Sequence, residues 1–304
     1  MTSHPQLTRW VPLAFVLLWS TGFIGAGYAL PFIEPFNLLF IRMLITVLLF
    51  LGLALVLRSR WPTPRQALHQ MVTGSLVHAM YLGGVFSAIK WDLPAGVTSI
   101  YVGLQPVVTT VLAWMLLNER LRTRQWLGLV LGLGGVALVL SRFAGGPDTV
   151  GHMVQGPALI AGGLALLGIS VGTLYQKRFG GGVNLVTGSL FQYLVTALWM
   201  GILTFSFETG EVTWDPQLIL ALAWLVIVLS VMAILLLMFM IREGEASRVA
   251  SYFYLVPPIT AVEGWLLFDE TLAPLGLVGM ALAVAGVYLV IRKPTARGSK
   301  GVGA

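Results

Sequence analysis

The sequence predicts an all-α integral membrane protein of ten transmembrane helices, built as two inverted five-helix repeats. Three observations carry this. Hydrophobic residues make up 57% of the 304-residue chain and charged residues only 10%, against about 25% charged in a soluble domain. The mean hydropathy is +0.88, and the apolar runs are too long and too many for one soluble core. The second observation is a repeat. The stretch from Ala95 to Pro106 lies over Ala246 to Pro257, and at the same offset of 151 residues Thr109, Trp114, Glu119, Leu121, Gly128 and Gly135 fall on Thr260, Trp265, Glu270, Leu272, Gly279 and Gly286. A weaker register of 150 pairs Ser20 with Ser170, Gly22 with Gly172 and Arg42 with Gln192. The third is the placement of Lys and Arg in alternate loops.

Breaks in the apolar pattern divide the chain into spans at 11–30, 36–57, 67–89, 95–117 and 124–141, then 157–176, 185–206, 217–241, 247–268 and 274–291. Each approaches or exceeds the ~20 residues that cross a bilayer. Pro31, Pro35, Pro62, Pro64, Pro94, Pro147, Pro216 and Pro274 punctuate the series, since proline interrupts or opens a helix. The first apolar run, Trp10 to Leu30, is not followed by a small-residue cleavage site and reads as a retained helix. Residues 1–143 then form the first repeat, 144–155 a non-cytoplasmic connection, 156–293 the second repeat and 294–304 a cytoplasmic tail.

With the N-terminus in the cytoplasm, fifteen of the eighteen basic residues fall in cytoplasmic segments; Lys90 and Arg142 fall outside and Arg42 within a span. The positive-inside bias therefore places both termini in the cytoplasm. Five spans per half is an odd number, so the second half enters the membrane upside down relative to the first. Inverted pairs of this kind exchange conformations about a site near the midplane, which is the geometry of alternating access.

Two signatures then resemble a known family. Gln105-Pro106-Val107-Val108-Thr109 is followed by Leu116-Leu117-Asn118-Glu119-Arg120-Leu121 and a Gly-rich helix; Val256-Pro257-Pro258-Ile259-Thr260 with Phe268-Asp269-Glu270-Thr271-Leu272 repeats the pattern. These, with Trp19-Ser20 and Arg42, resemble the drug/metabolite transporter superfamily, and within it the ten-helix EamA type, over about residues 10–292. The chain looks most like the YddG-like branch. That resemblance implies export of aromatic and other neutral amino acids across a bacterial inner membrane.

Polar groups inside spans are expensive and so are the candidates for transport. Glu263 is the carboxylate lying well inside a span, a candidate proton or ammonium site; the alternatives are a helix-end residue about 8 Å from the interface or a partner for Arg42. His78 and Tyr81 share a face of the third span. Ser99, Tyr101 and Gln105 on the fourth span, Tyr175 on the sixth, Gln192 with Tyr193 on the seventh, and Ser251, Tyr252 and Tyr254 on the ninth complete the candidate pathway. Aromatic hydroxyls suit a substrate that carries a ring, because they stack and also hydrogen-bond; interfacial belt or packing roles are the alternative. Pro106 and Pro257 each remove a backbone donor within a span and are candidate kinks. Arg42 lies close enough to the start of its span that snorkelling to the interface competes with a role facing the pathway, and snorkelling is the expectation. Gly128-x-x-x-Gly132 and Gly279-x-x-x-Ala283 mark close-packing faces, either between halves or between chains. Glu119 and Glu270 read as architectural.

The chain has no cysteine, which excludes disulfides and thiolate chemistry. No His-Glu-x-x-His, Gly-x-Ser-x-Gly or Walker sequence is present, so neither an enzyme nor an ATPase is expected. No metal and no cofactor is implied. The net charge of +6 reports orientation, not a nucleic-acid partner. The expected partners are a small-molecule substrate and the lipid bilayer, with monomer and dimer both open. The reading is a secondary exporter of small amphipathic metabolites, aromatic amino acids foremost; the alternative is a carrier for drugs or other metabolites on the same fold.

Overall fold

A computed structural model describes residues 5–117, 123–140, 156–234, 236, 255–269 and 274–291. The described residues are helical throughout, apart from turns and one isolated bridge between Ile33 and Val212. The helices are α1 (Pro5–Ala29), α2 (Pro35–Val56), α3 (Pro64–Lys90), α4 (Ala95–Val102), α5 (Gln105–Leu117), α6 (Thr123–Leu140), α7 (Gly156–Phe179), α8 (Leu185–Phe207), α9 (Pro216–Ala233), α10 (Val256–Phe268) and α11 (Pro274–Ile291). Six stretches among them are long and apolar enough to cross a membrane, and three shorter apolar stretches lie in α6, α10 and α11.

The helix starts follow local rules. Pro35, Pro64, Pro216 and Pro274 each occupy a first helical position, where a missing N–H costs nothing. Thr63 and Gln66 form a capping box ahead of α3. Asn184 and Asp215 cap α8 and α9 by accepting backbone N–H groups.

Two irregularities lie inside spans. The fourth span is broken at Gly103 and Leu104, so α4 and α5 are separate helices, with Pro106 the second residue of α5. Pro257 is likewise the second residue of α10, and its ring lies against Gly103, where a Cβ would come within 2.9 Å of it. The two prolines thus stand at helix starts, and in the first half the kink is a full break. Second, α3 and α9 each contain a π-helical stretch, Ser75–Met80 and Trp224–Ala233. The 151-residue offset carries the first of these into the second.

Glycines set the close approaches. At Gly135 an added Cβ would strike the backbone of Gly279 and Ala283; at Gly286 it would strike that of Gly132 and Gly128. The offset of 151 turns Gly135 into Gly286, and Gly128 and Gly132 into Gly279 and Ala283, so the contact maps onto itself. The two small-residue faces therefore join the halves of one chain, with α6 and α11 antiparallel. Helices α2 and α8 are also antiparallel neighbours, through Phe40 with Phe205 and Phe50 with Tyr193. Helix α3 packs on α7, where Gly84 meets Ala161 and Ala165, and α1 packs on α9, where Gly25 meets Leu225.

Candidate functional site

The buried polar groups gather where α2, α3, α8 and α9 meet. His78, in the π-helical stretch of α3, donates from Nε2 to Gln192 Oε1 (3.1 Å), and Gln192 Nε2 donates to Gln70 Oε1 (2.6 Å). Gln70 is buried, and its Nε2 has no partner among the described residues. The His78 imidazole stacks on Tyr193 at 4.7 Å between centroids, 21° from parallel. Tyr193 is buried, as is Tyr81 at the C-terminal side of the π-helical stretch. On the facing helices Arg42 donates from Nε (3.2 Å) and Nη2 (3.0 Å) to Ser230 Oγ, which itself donates to Leu225 O. Arg42 keeps only 6% of its surface exposed. It turns inward rather than snorkelling, because Ser230 offers an acceptor inside the bundle.

The π-helical turns explain the convergence. A wider turn inserts one residue and rotates the residues after it, so it re-aims side chains that a regular helix would send elsewhere. His78 and Ser230 both sit in such turns. Gln70 and Ser230 are members of this cluster that residue type alone did not single out.

Glu263 lies apart from the cluster. Its Oε1 accepts from Ser20 Oγ at 2.8 Å, and its Oε2 is buried without a partner among the described residues. Ser20 is fully buried halfway along the apolar stretch Val11–Ala29, so the carboxylate sits level with the middle of α1. Its partner is Ser20, not Arg42. At the repeat-related position Ser170 Oγ donates to Gln105 O at 3.5 Å.

The other candidates divide by location. Gln105 Nε2 donates to Thr173 Oγ1 (3.0 Å), and the Tyr101 ring packs on Gly162 and Gly163, so both join α7 to the broken span. Ser99 is buried and returns its hydroxyl to Gly96 O (2.7 Å) within its own helix. Tyr175 shares a 2.8 Å hydrogen bond with His69 Nδ1 beside Phe179, at the end of α7 and away from His78. Pro257 is buried and lines an apolar crevice with Ile100, Gly103, Met280 and Val287, which lacks groups to hold a polar substrate. Ser251, Tyr252, Tyr254, Glu119 and Glu270 lie outside the described residues, as do the 144–155 connection and the 294–304 tail. Among the described residues no group of three or more His, Cys, Asp or Glu could hold a metal ion.

The described residues form an apolar helical bundle with a polar cluster at mid-span. The profile of the EamA-like transporter family matches the chain twice, over residues 9–141 and 156–292. The chain belongs to the EamA-like transporter family. It is a membrane transporter and not an enzyme. Among its relatives, an uncharacterized transporter YvbV of Bacillus subtilis is 28% identical over all of this chain and 98% of its own length. An uncharacterized inner membrane transporter YedA of Escherichia coli is 24% identical over 91% of this chain and 88% of its own. A probable amino-acid metabolite efflux pump of Salmonella typhimurium is 24% identical, covering 91% and 92%. A protein of known crystal structure aligns with TM-score 0.63 at 22% identity over 92% of this chain and 94% of its own, a likeness of fold.

Proposed function

We propose that the protein is a secondary transporter exporting small amphipathic metabolites, foremost aromatic and other neutral amino acids, by alternating access across the bacterial inner membrane. The cluster of His78, Gln192 and Gln70 with Tyr81 and Tyr193 is the observation that carries this reading. It combines ring faces with hydrogen-bonding groups inside an apolar bundle, as an amphipathic ring-bearing ligand requires. It draws on helices from both halves of the sequence, so relative movement of the halves would remake it. The name of the Salmonella relative supports the same substrate class.

Two inverted five-helix repeats underlie the proposed movement. The self-mapping contact of Gly135 and Gly286 and the antiparallel α6–α11 and α2–α8 pairs support that symmetry. The distribution of Lys and Arg supports cytoplasmic termini. Glu263, with one oxygen unpartnered among the described residues, is the group offered for a proton or a substrate ammonium.

The test is efflux from proteoliposomes preloaded with mixed amino acids, with and without a pH gradient. Selective, saturable loss of Phe, Tyr or Trp supports the proposal. Retention of every amino acid contradicts it and favours a carrier for drugs or other metabolites on the same fold.

A further inference from the structure

Among the described residues Arg42 is a buried cation without a counter-charge. Its hydrogen bonds from Nε and Nη2 both end on one neutral hydroxyl, Ser230 Oγ. The ionisable groups that its charge reaches are the phenols of Tyr81 and Tyr193 and the imidazole of His78, none of them a carboxylate. Glu263, the carboxylate in a described span, is bonded to Ser20 instead. A guanidinium offers five N–H donors in a planar fork. Among the described residues Nη1 has no hydrogen-bond partner, and it is not sealed away from open space. A buried charge left unpaired is strongly destabilising, and in a membrane such residues pair or line a pathway.

We infer that the free edge of Arg42 is an anion site, and that it takes the carboxylate of the transported molecule. A carboxylate matches the fork geometry of a guanidinium, with charge-assisted bonds roughly twice as strong as neutral ones. The phenols of Tyr81 and Tyr193 lie within reach of the same charge. His78, stacked on Tyr193, sets the aromatic wall next to it. The site therefore selects molecules that join a carboxylate to an apolar or aromatic body. This deepens the amino-acid reading and rests on it for the location of the substrate, but it requires only the carboxylate and not the amine.

The test is equilibrium binding to full-length protein in nanodiscs with matched probes. L-phenylalanine is compared with L-phenylalaninamide, 3-phenylpropionate with 3-phenylpropionamide, and succinate with succinamide. The expected result is a preference of about tenfold or more for the acid in at least one pair, abolished in Arg42→Gln and partly kept in Arg42→Lys. The wild-type pairs keep the test valid even where a variant fails to fold. Equal or absent binding of acid and amide in every pair overturns the inference, as does an acid preference that survives in folded Arg42→Gln. Binding of 3-phenylpropionate or succinate without L-phenylalanine keeps the anion site and rejects the amino-acid reading. Binding of L-phenylalanine and its amide alike does the reverse.

Discussion

Ser20 of α1 donates its hydroxyl to Glu263 of α10 at 2.8 Å, joining residues 243 apart in sequence at mid-span. The second carboxylate oxygen has no partner among the described residues. A carboxylate held by one hydrogen bond in a low-dielectric bundle is poised to take a proton or a cation. Glu263→Gln keeps the Ser20 bond through the amide oxygen while removing the charge. The variant is expected to fold and to lose pH-driven flux in proteoliposomes. Full gradient dependence in that variant would remove Glu263 from coupling.

The α6–α11 interface gives a sharp contrast between neighbouring glycines. A side chain at Gly135 runs into the backbone of Gly279 and Ala283, whereas at Gly134 nothing lies within 4 Å. Gly135→Leu is expected to destabilise by about 1–3 kcal/mol or more through overpacking, and Gly134→Leu to be nearly neutral. Melting in detergent checks the pair, and equal shifts would mean that the helices do not touch there.

Much of the architecture was legible for a physical reason: bilayer thickness fixes span length, and α2, α8 and α11 start and stop within two residues of the apolar pattern. The Gly faces were legible too, because close backbone approach demands small residues. The π-helical turns were not, since Ser75–Met80 and Trp224–Ala233 contain neither Gly nor Pro. That hid the convergence of Ser230 on Arg42 and made snorkelling look favourable. Ser99 and Tyr175 have the residue types of a pathway, but local geometry turns one hydroxyl onto its own helix and the other onto His69. The break at Gly103 lies three residues before Pro106, ahead of the residue that marks it.

A second polar connection lies outside the spans. Glu208, just past α8, accepts from Phe36 N (2.8 Å) and Asn37 N (2.7 Å) at the start of α2, while Glu34 accepts from Thr209 N and Oγ1. Burial pushes the Glu208 carboxyl above its usual 4.5, against the opposing effect of the two N–H bonds. With the folded value raised, its contribution to stability is fullest below about 4.5 and falls as pH rises through the folded value. The advantage of wild type over Glu208→Gln in melting temperature should therefore shrink as pH rises above 4.5. A constant difference would show that burial does not govern this carboxylate.

Gln192 bridges His78 and Gln70, so Gln192→Leu leaves both buried groups without their partner. Each orphaned group costs about 1–3 kcal/mol. Substrate affinity should fall by roughly tenfold or more, beyond any loss of folded yield, if the bridge shapes the binding site. Binding per folded molecule decides this, and unchanged affinity would make the bridge purely structural.

The proposed carrier exposes one site to each side of the membrane in turn. The most direct measurement is counterflow: proteoliposomes loaded with unlabelled L-phenylalanine and diluted into a trace of labelled L-phenylalanine. Alternating access predicts transient uptake of label above its external concentration, saturating with the internal load. Label that merely equilibrates at the same rate with and without internal L-phenylalanine would exclude alternating access for this substrate.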